Sequence, residues 1–182
     1  MELARNRPAS VRDAGPQRLG IDQSRPHRHR AHGVDRPDRR GGFGPVYHGE
    51  LNGRAVAVKV LEAAGGQGVH EFHREVEILS RCRHENIVPL LACAMTPGHP
   101  LCLAYAYMAD GALSDALRNP AALSADQRLR VAEDVARGLA YLHAQDVVHR
   151  DIKSANILLD GEGRAQGALV EGELAASDEV AP

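Results

Sequence analysis

His149-Arg150-Asp151-Ile152-Lys153-Ser154-Ala155-Asn156 sets a carboxylate, an ammonium and an amide at fixed offsets, and phosphoryl transfer from ATP needs those three groups at that spacing. Asp151 is placed to accept the proton of a substrate hydroxyl, Lys153 to neutralise the transferring phosphate, and Asn156 to ligate Mg2+ through an amide oxygen. Any Asp/Lys/Asn cluster can make a polar turn after a helix. The full eight-residue string followed by the apolar Ile157-Leu158-Leu159 is far more specific than that.

The middle of the chain agrees. Residues 55–61 read as an apolar strand, with period-two alternation setting Ala57 and Lys59 on one face and Val56, Val58 and Val60 on the other. A lysine in a buried strand demands an anion. Downstream, Val69, Phe72, Val76 and Leu79 fall at helical spacing, with Glu75 at the edge of the inward face. Glu75 is therefore the expected partner of Lys59, since either charge buried alone would cost several kcal/mol. Of 22 basic residues only Lys59 and Lys153 are lysines. Both stand where a compact ammonium suits the chemistry better than a planar guanidinium.

From about Gly41 to Asp160 the chain resembles the front half of a eukaryotic protein kinase, most closely the plant receptor-like and Pelle/IRAK-like kinases. The strings that carry the resemblance are GGFGPVYHGEL, VAVKVL, EFHREVEILSRCRHENIVPLL, ARGLAYLH and VVHRDIKSANILLD. It implies an α+β, protein-kinase-like fold: an antiparallel sheet with the helix bearing Glu75, a hinge at residues 105–108, and a partial helical second lobe. Carried over residue by residue, it implies that Gly41 and Gly44 lie over the ATP phosphates and that Lys59 and Glu75 form an ion pair. Val46, Ala57 and Leu158 would enclose the adenine, while Tyr105, Ala106, Tyr107 and Met108 would be gatekeeper and hinge. Asp151, Lys153 and Asn156 would be catalytic, with Asn156 on Mg2+. Lys153 is similar to the serine/threonine branch, so the implied cofactors are ATP and Mg2+ and the implied partner is a protein bearing Ser or Thr.

Three departures from the pattern bear on activity. Arg39 occupies the first position of the glycine pattern, putting a side chain where backbone should approach phosphate; it either folds back as a cation or blocks the site. The window where an Asp-Phe-Gly would supply the Mg2+ aspartate reads Gln166-Gly167-Ala168-Leu169-Val170-Glu171-Gly172-Glu173. Glu171 or Glu173 is a displaced surrogate at best, since Mg2+ demands near-octahedral geometry, and an acidic solvated tail is the plainer expectation. After Asp160 neither an activation segment nor the later helices of a kinase follow. The expected function is thus an ATP-dependent protein serine/threonine kinase by family, impaired in this chain. The alternatives are a pseudokinase-like fragment that binds nucleotide or a partner kinase, and a non-functional truncated product.

A helix is expected from Ser124 to about Ala144, opened by a Ser124/Gln127 capping box and carrying Leu129, Ala132, Val135, Leu139 and Leu142 as an apolar stripe. Left exposed, that stripe would drive aggregation or recruit a partner.

The 182 residues are 43% apolar with net charge −2, ordinary for a soluble domain but short of the roughly 250 residues of a two-lobed kinase. Residues 1–40 read as a disordered Arg-rich segment, 41–160 as a partial kinase domain and 161–182 as an acidic Ala/Gly-rich tail. The Pro26–His32 stretch is rich in His and Arg but lacks aromatics, so nucleic acid is not an expected partner. With no leader, lipidation motif or apolar run of membrane length, the chain reads as cytoplasmic, although a full-length relative could be membrane-anchored. Three cysteines without paired spacing read as buried thiols.

Overall fold

The structure, a computed structural model, describes residues 12–13, 46–61, 66–95, 99–167 and 175–176. Two compact units divide the described residues. The first holds the described residues up to Arg81 together with those of 89–107, and the second holds Cys82–Val88 and the described residues from Met108 onward.

Among the described residues the first unit holds a five-stranded sheet and one helix. Its strands are β1 (Arg12–Asp13), β2 (Val46–Leu51), β3 (Arg54–Leu61), β4 (Leu90–Ala94) and β5 (Leu101–Ala106), in the order β1-β4-β5-β3-β2. All neighbours run antiparallel except β1 beside β4. Strands β2 and β3 are joined by Asn52 and Gly53, both at positive φ (52° and 77°). This two-residue Asn-Gly loop matches the right-handed twist of the strands it connects. The alternation expected for β3 holds. Val56 and Val58 enter an apolar cluster with Ala92, Ala94, Cys102 and Ala104, while Ala57 and Lys59 share the opposite face. Helix α1 (Gly66–Arg81) packs on β4 and β5, burying Phe72, Val76 and Leu79.

The second unit comprises α2 (Leu113–Arg118), α3 (Ala125–Ala144), and short strands β6 (Gly111–Ala112), β7 (Val147–Val148), β8 (Ile157–Leu159), β9 (Ala165–Gly167) and β10 (Ala175–Ala176). Strands β6, β8 and β9 form one sheet in that order, and β7 pairs with β10. The capping box is present at the start of α3: the Ser124 hydroxyl accepts from the Gln127 N–H at 3.2 Å, and the Gln127 side chain accepts from the Ser124 N–H at 2.9 Å. Among the described residues, no helix is long and apolar enough to cross a membrane.

The expected stripe of α3 is exposed at one end and covered at the other. Leu142 is buried, but Leu129 is 63% exposed and Ala132 is exposed. The buried positions are Val131, Gly138 and Leu142. Gly138 sets this rotation, because a Cβ there would stand 2.9 Å from the backbone oxygen of Asn86. The helix meets the Cys82–Val88 loop backbone to backbone at the one residue without a side chain, and Leu129 is thereby turned toward solvent.

Candidate functional site

In the first unit, Lys59 is 1% exposed. Its Nζ reaches both oxygens of Glu75 at 3.1 Å, the pairing expected from the two amphipathic patterns. The Tyr105 hydroxyl donates to Glu75 Oε1 at 2.7 Å. Strand register explains the meeting: Ala57 lies opposite Tyr105 and Lys59 opposite Leu103, so Lys59 and Tyr105 occupy one face of the sheet. Burial, then the charge and hydrogen bond of Glu75, hold the Tyr105 phenol well above its ordinary range, so it remains a donor. Val46 pairs with Lys59 and His48 with Ala57 on the neighbouring strand. This extends the Lys59 face as far as the His48 ring, which meets Tyr107 edge-on at 5.0 Å. The Ala106 N–H donates to the Pro89 carbonyl.

In the second unit, the segment after β7 folds back on itself. Arg150 takes a left-handed backbone (φ 58°), a conformation that a bulky residue adopts at some strain and that collects at functional sites. The Asp151 N–H donates to the His149 carbonyl at 2.8 Å, and His149 is buried. A 3-10 turn at Ser154–Asn156 then returns Asn156 to Asp151. Asn156 Nδ2 donates to the Asp151 carbonyl at 3.0 Å and to Asp151 Oδ2 at 2.9 Å, and Lys153 Nζ donates to the same Oδ2 at 2.7 Å. The Lys153 bond, against some desolvation and with help from Asn156, holds the Asp151 carboxyl below its ordinary value. Asp151 is therefore an ionised acceptor at neutral pH. Asn156 is 2% exposed and its Oδ1 has no hydrogen-bond partner among the described residues. Such an oxygen keeps its lone pairs open to a ligand.

Leu158 is buried in β8 opposite Ala112, and Met108 is buried with its carbonyl accepting from the Gly111 N–H. Gly41 and Gly44 lie outside the described residues, as do Arg39, Glu171 and Glu173. The Tyr105 hydroxyl's role on Glu75 was not anticipated, since its position was read only as a gatekeeper. No group of three or more potential metal-binding side chains of His, Cys, Asp or Glu occurs among the described residues.

Residues 39–167 match the family of protein tyrosine and serine/threonine kinases. A leaf rust disease-resistance locus receptor-like protein kinase of Arabidopsis thaliana is 46% identical over 66% of this chain and 19% of its own length. A G-type lectin S-receptor-like serine/threonine-protein kinase of the same plant is 42% identical over 68% of this chain and 16% of its own. The nodulation receptor kinase of Pisum sativum is 47% identical over 66% and 14%. The chain thus spans less than a fifth of the length of each of these curated relatives.

Proposed function

The chain belongs to the protein tyrosine and serine/threonine kinase family, and we propose that it binds ATP and has the chemistry of a protein serine/threonine kinase, with phosphoryl transfer impaired in this chain. The observation that supports the reading most is Lys59, a nearly fully buried ammonium held by both oxygens of one carboxylate. Such a cation is suited to nucleotide phosphates. In this reading the ionised Asp151 would take a proton from a substrate hydroxyl, Lys153 would offset phosphate charge, and Asn156 would offer its Oδ1, which has no partner among the described residues. That oxygen fits Mg2+, a hard cation that takes oxygen ligands. When bound, the ion would neutralise charge developing on the phosphates. By the family resemblance, Val46, Ala57 and residues 105–107 of the first unit, Met108 and Leu158 of the second, and Gly41 and Gly44 are the proposed nucleotide-binding residues. The partner would be a protein carrying Ser or Thr.

Impairment rests on the 166–173 window, which offers no Asp-Phe-Gly and so no second, charged Mg2+ ligand at the family's register. The competing reading, a nucleotide- or partner-binding regulatory fragment, draws on the same observation. The test is ATP binding together with radiolabelled transfer to a generic serine/threonine substrate, run on the wild type, Lys59→Met and Asp151→Asn. The expected outcome is weak ATP binding lost in Lys59→Met, with no transfer above background in either the wild type or Asp151→Asn. Transfer present in the wild type and abolished in Asp151→Asn would overturn the impairment, and absence of any ATP binding would overturn the nucleotide site.

A further inference from the structure

Ala165 in β9 is fully buried, and side chains from two other parts of the second unit grip its backbone. Asp134 of α3 accepts from the Ala165 N–H at 3.1 Å, and Asn86 of the Cys82–Val88 loop donates to the Ala165 carbonyl at 3.0 Å. Strand β9 is an edge of its sheet, so its outer backbone groups would be left unpaired in a buried place. Asp134 and Asn86 stand in for the missing neighbour strand, one supplying the acceptor and the other the donor. The Asp134 carboxylate, only 13% exposed, also pairs with Arg137 Nη1 at 3.5 Å, so it is held by the guanidinium of its own helix on one side and by the Ala165 amide on the other.

The fixed position leads to the candidate site. Leu159 of β8 lies opposite Ala165, Ile157, Leu159 and Ala165 share one apolar cluster with Val131, and Asn156 directly precedes Ile157. We propose that Asp134 and Asn86 are positioning residues: by clamping Ala165 they fix the β8–β9 hairpin and, through it, Asn156 and its bonds to Asp151. The functional half of this inference rests on the nucleotide-binding reading above.

Two measurements on the full chain test it, using Asp134→Leu, Asn86→Leu and Asp134→Asn, the last of which keeps an acceptor oxygen. The first is amide hydrogen exchange over residues 151–159 without nucleotide. Exchange there should rise about tenfold or more in Asp134→Leu, the scale carried by one charge-assisted hydrogen bond, and about two- to tenfold in Asn86→Leu, which loses a neutral one, with Asp134→Asn falling between wild type and Asp134→Leu because it keeps an uncharged acceptor. The second is a Mg2+ titration with a fluorescent ATP analogue, where the leucine variants should need more Mg2+ for half-saturation while metal-free nucleotide affinity is unchanged. Faster exchange confined to residues 165–167, with 151–159 as in the wild type, overturns the clamp. If Asp134→Leu does not fold, Asn86→Leu decides by the same readout. Altered exchange in a protein that binds no nucleotide upholds the clamp and counts against the nucleotide site alone.

Discussion

Tyr105 donates its phenolic hydrogen to the same Glu75 oxygen that Lys59 holds, at 2.7 Å and 3.1 Å respectively. The carboxylate is therefore fixed from two strand-borne side chains at once. Tyr105→Phe removes one hold and leaves the ion pair. Hydrogen bonds to charged groups contribute about 1.5–3 kcal/mol, so the variant should lose an amount in that range on urea denaturation. A loss below about 0.5 kcal/mol, the level of ordinary surface changes, would show the hydroxyl to be a bystander.

Removing one member of the buried pair should be worse than removing both. Lys59→Met or Glu75→Leu leaves a buried polar group without its partner, a change that costs about 3–5 kcal/mol where the remaining group stays charged. The double variant should lose less than the sum of the two. A double-mutant cycle by chemical denaturation checks this, and strict additivity would mean that the pair does not couple.

Gly138→Ala has opposing terms. Alanine is the better helix former by about 0.8–1 kcal/mol, but its Cβ would lie 2.9 Å from the Asn86 backbone oxygen. Backbone cannot give way as a flexible side chain does, and overpacking costs about 1–3 kcal/mol. Net destabilisation is expected in thermal melts; a stabilised variant would show that the loop yields freely.

Acid should weaken the turn at Asp160. Burial raises the pKa of this carboxyl, but the Arg164 and Glu162 N–H groups and the Arg164 guanidinium outweigh it and hold the value below the ordinary 3.8. A depressed carboxyl contributes stability that is full above its unfolded pKa and lost as pH falls through the folded one. Asp160→Asn should thus be less stable than the wild type near neutrality, with the gap closing below about pH 4. Parallel curves down to about pH 2 would refute the assignment.

The exposed and buried leucines of α3 should respond oppositely to charge. Leu129→Glu, at a position 63% exposed, should change stability by no more than about 0.5 kcal/mol and improve solubility. Leu142→Glu, at 1% exposure, should prevent folding, visible as loss of a cooperative melt.

Much of the site was legible because its residues are close in sequence or lie on strongly patterned elements. Asp151, Lys153 and Asn156 sit within one turn's reach, and the alternation of β3 and the periodicity of α1 were enough to pair Lys59 with Glu75. The uncovered end of the α3 stripe at Leu129 was legible, but the burial of Leu142 and Val131 was not, because periodicity fixes spacing but not phase and the close approach at Gly138 set the phase. The grip of Asn86 and Asp134 on Ala165 left no trace in the sequence, since its target is a backbone that any residue type would supply.

The Asn52–Gly53 turn also sets an expectation for the order of folding. Hairpins closed by such short loops form within about 1–10 μs, long before strands distant in sequence can meet. Strand β3 lies between β2 and β5, so the hairpin presents a ready edge on which β5 can dock and place Leu103 opposite Lys59. Gly53→Ala, strained by a backbone at φ 77° although space around it is open, should therefore slow refolding more than it speeds unfolding. Equal slowing of refolding and speeding of unfolding would refute this expected order, in which the ammonium-bearing strand forms first and the rest of the sheet is recruited onto it.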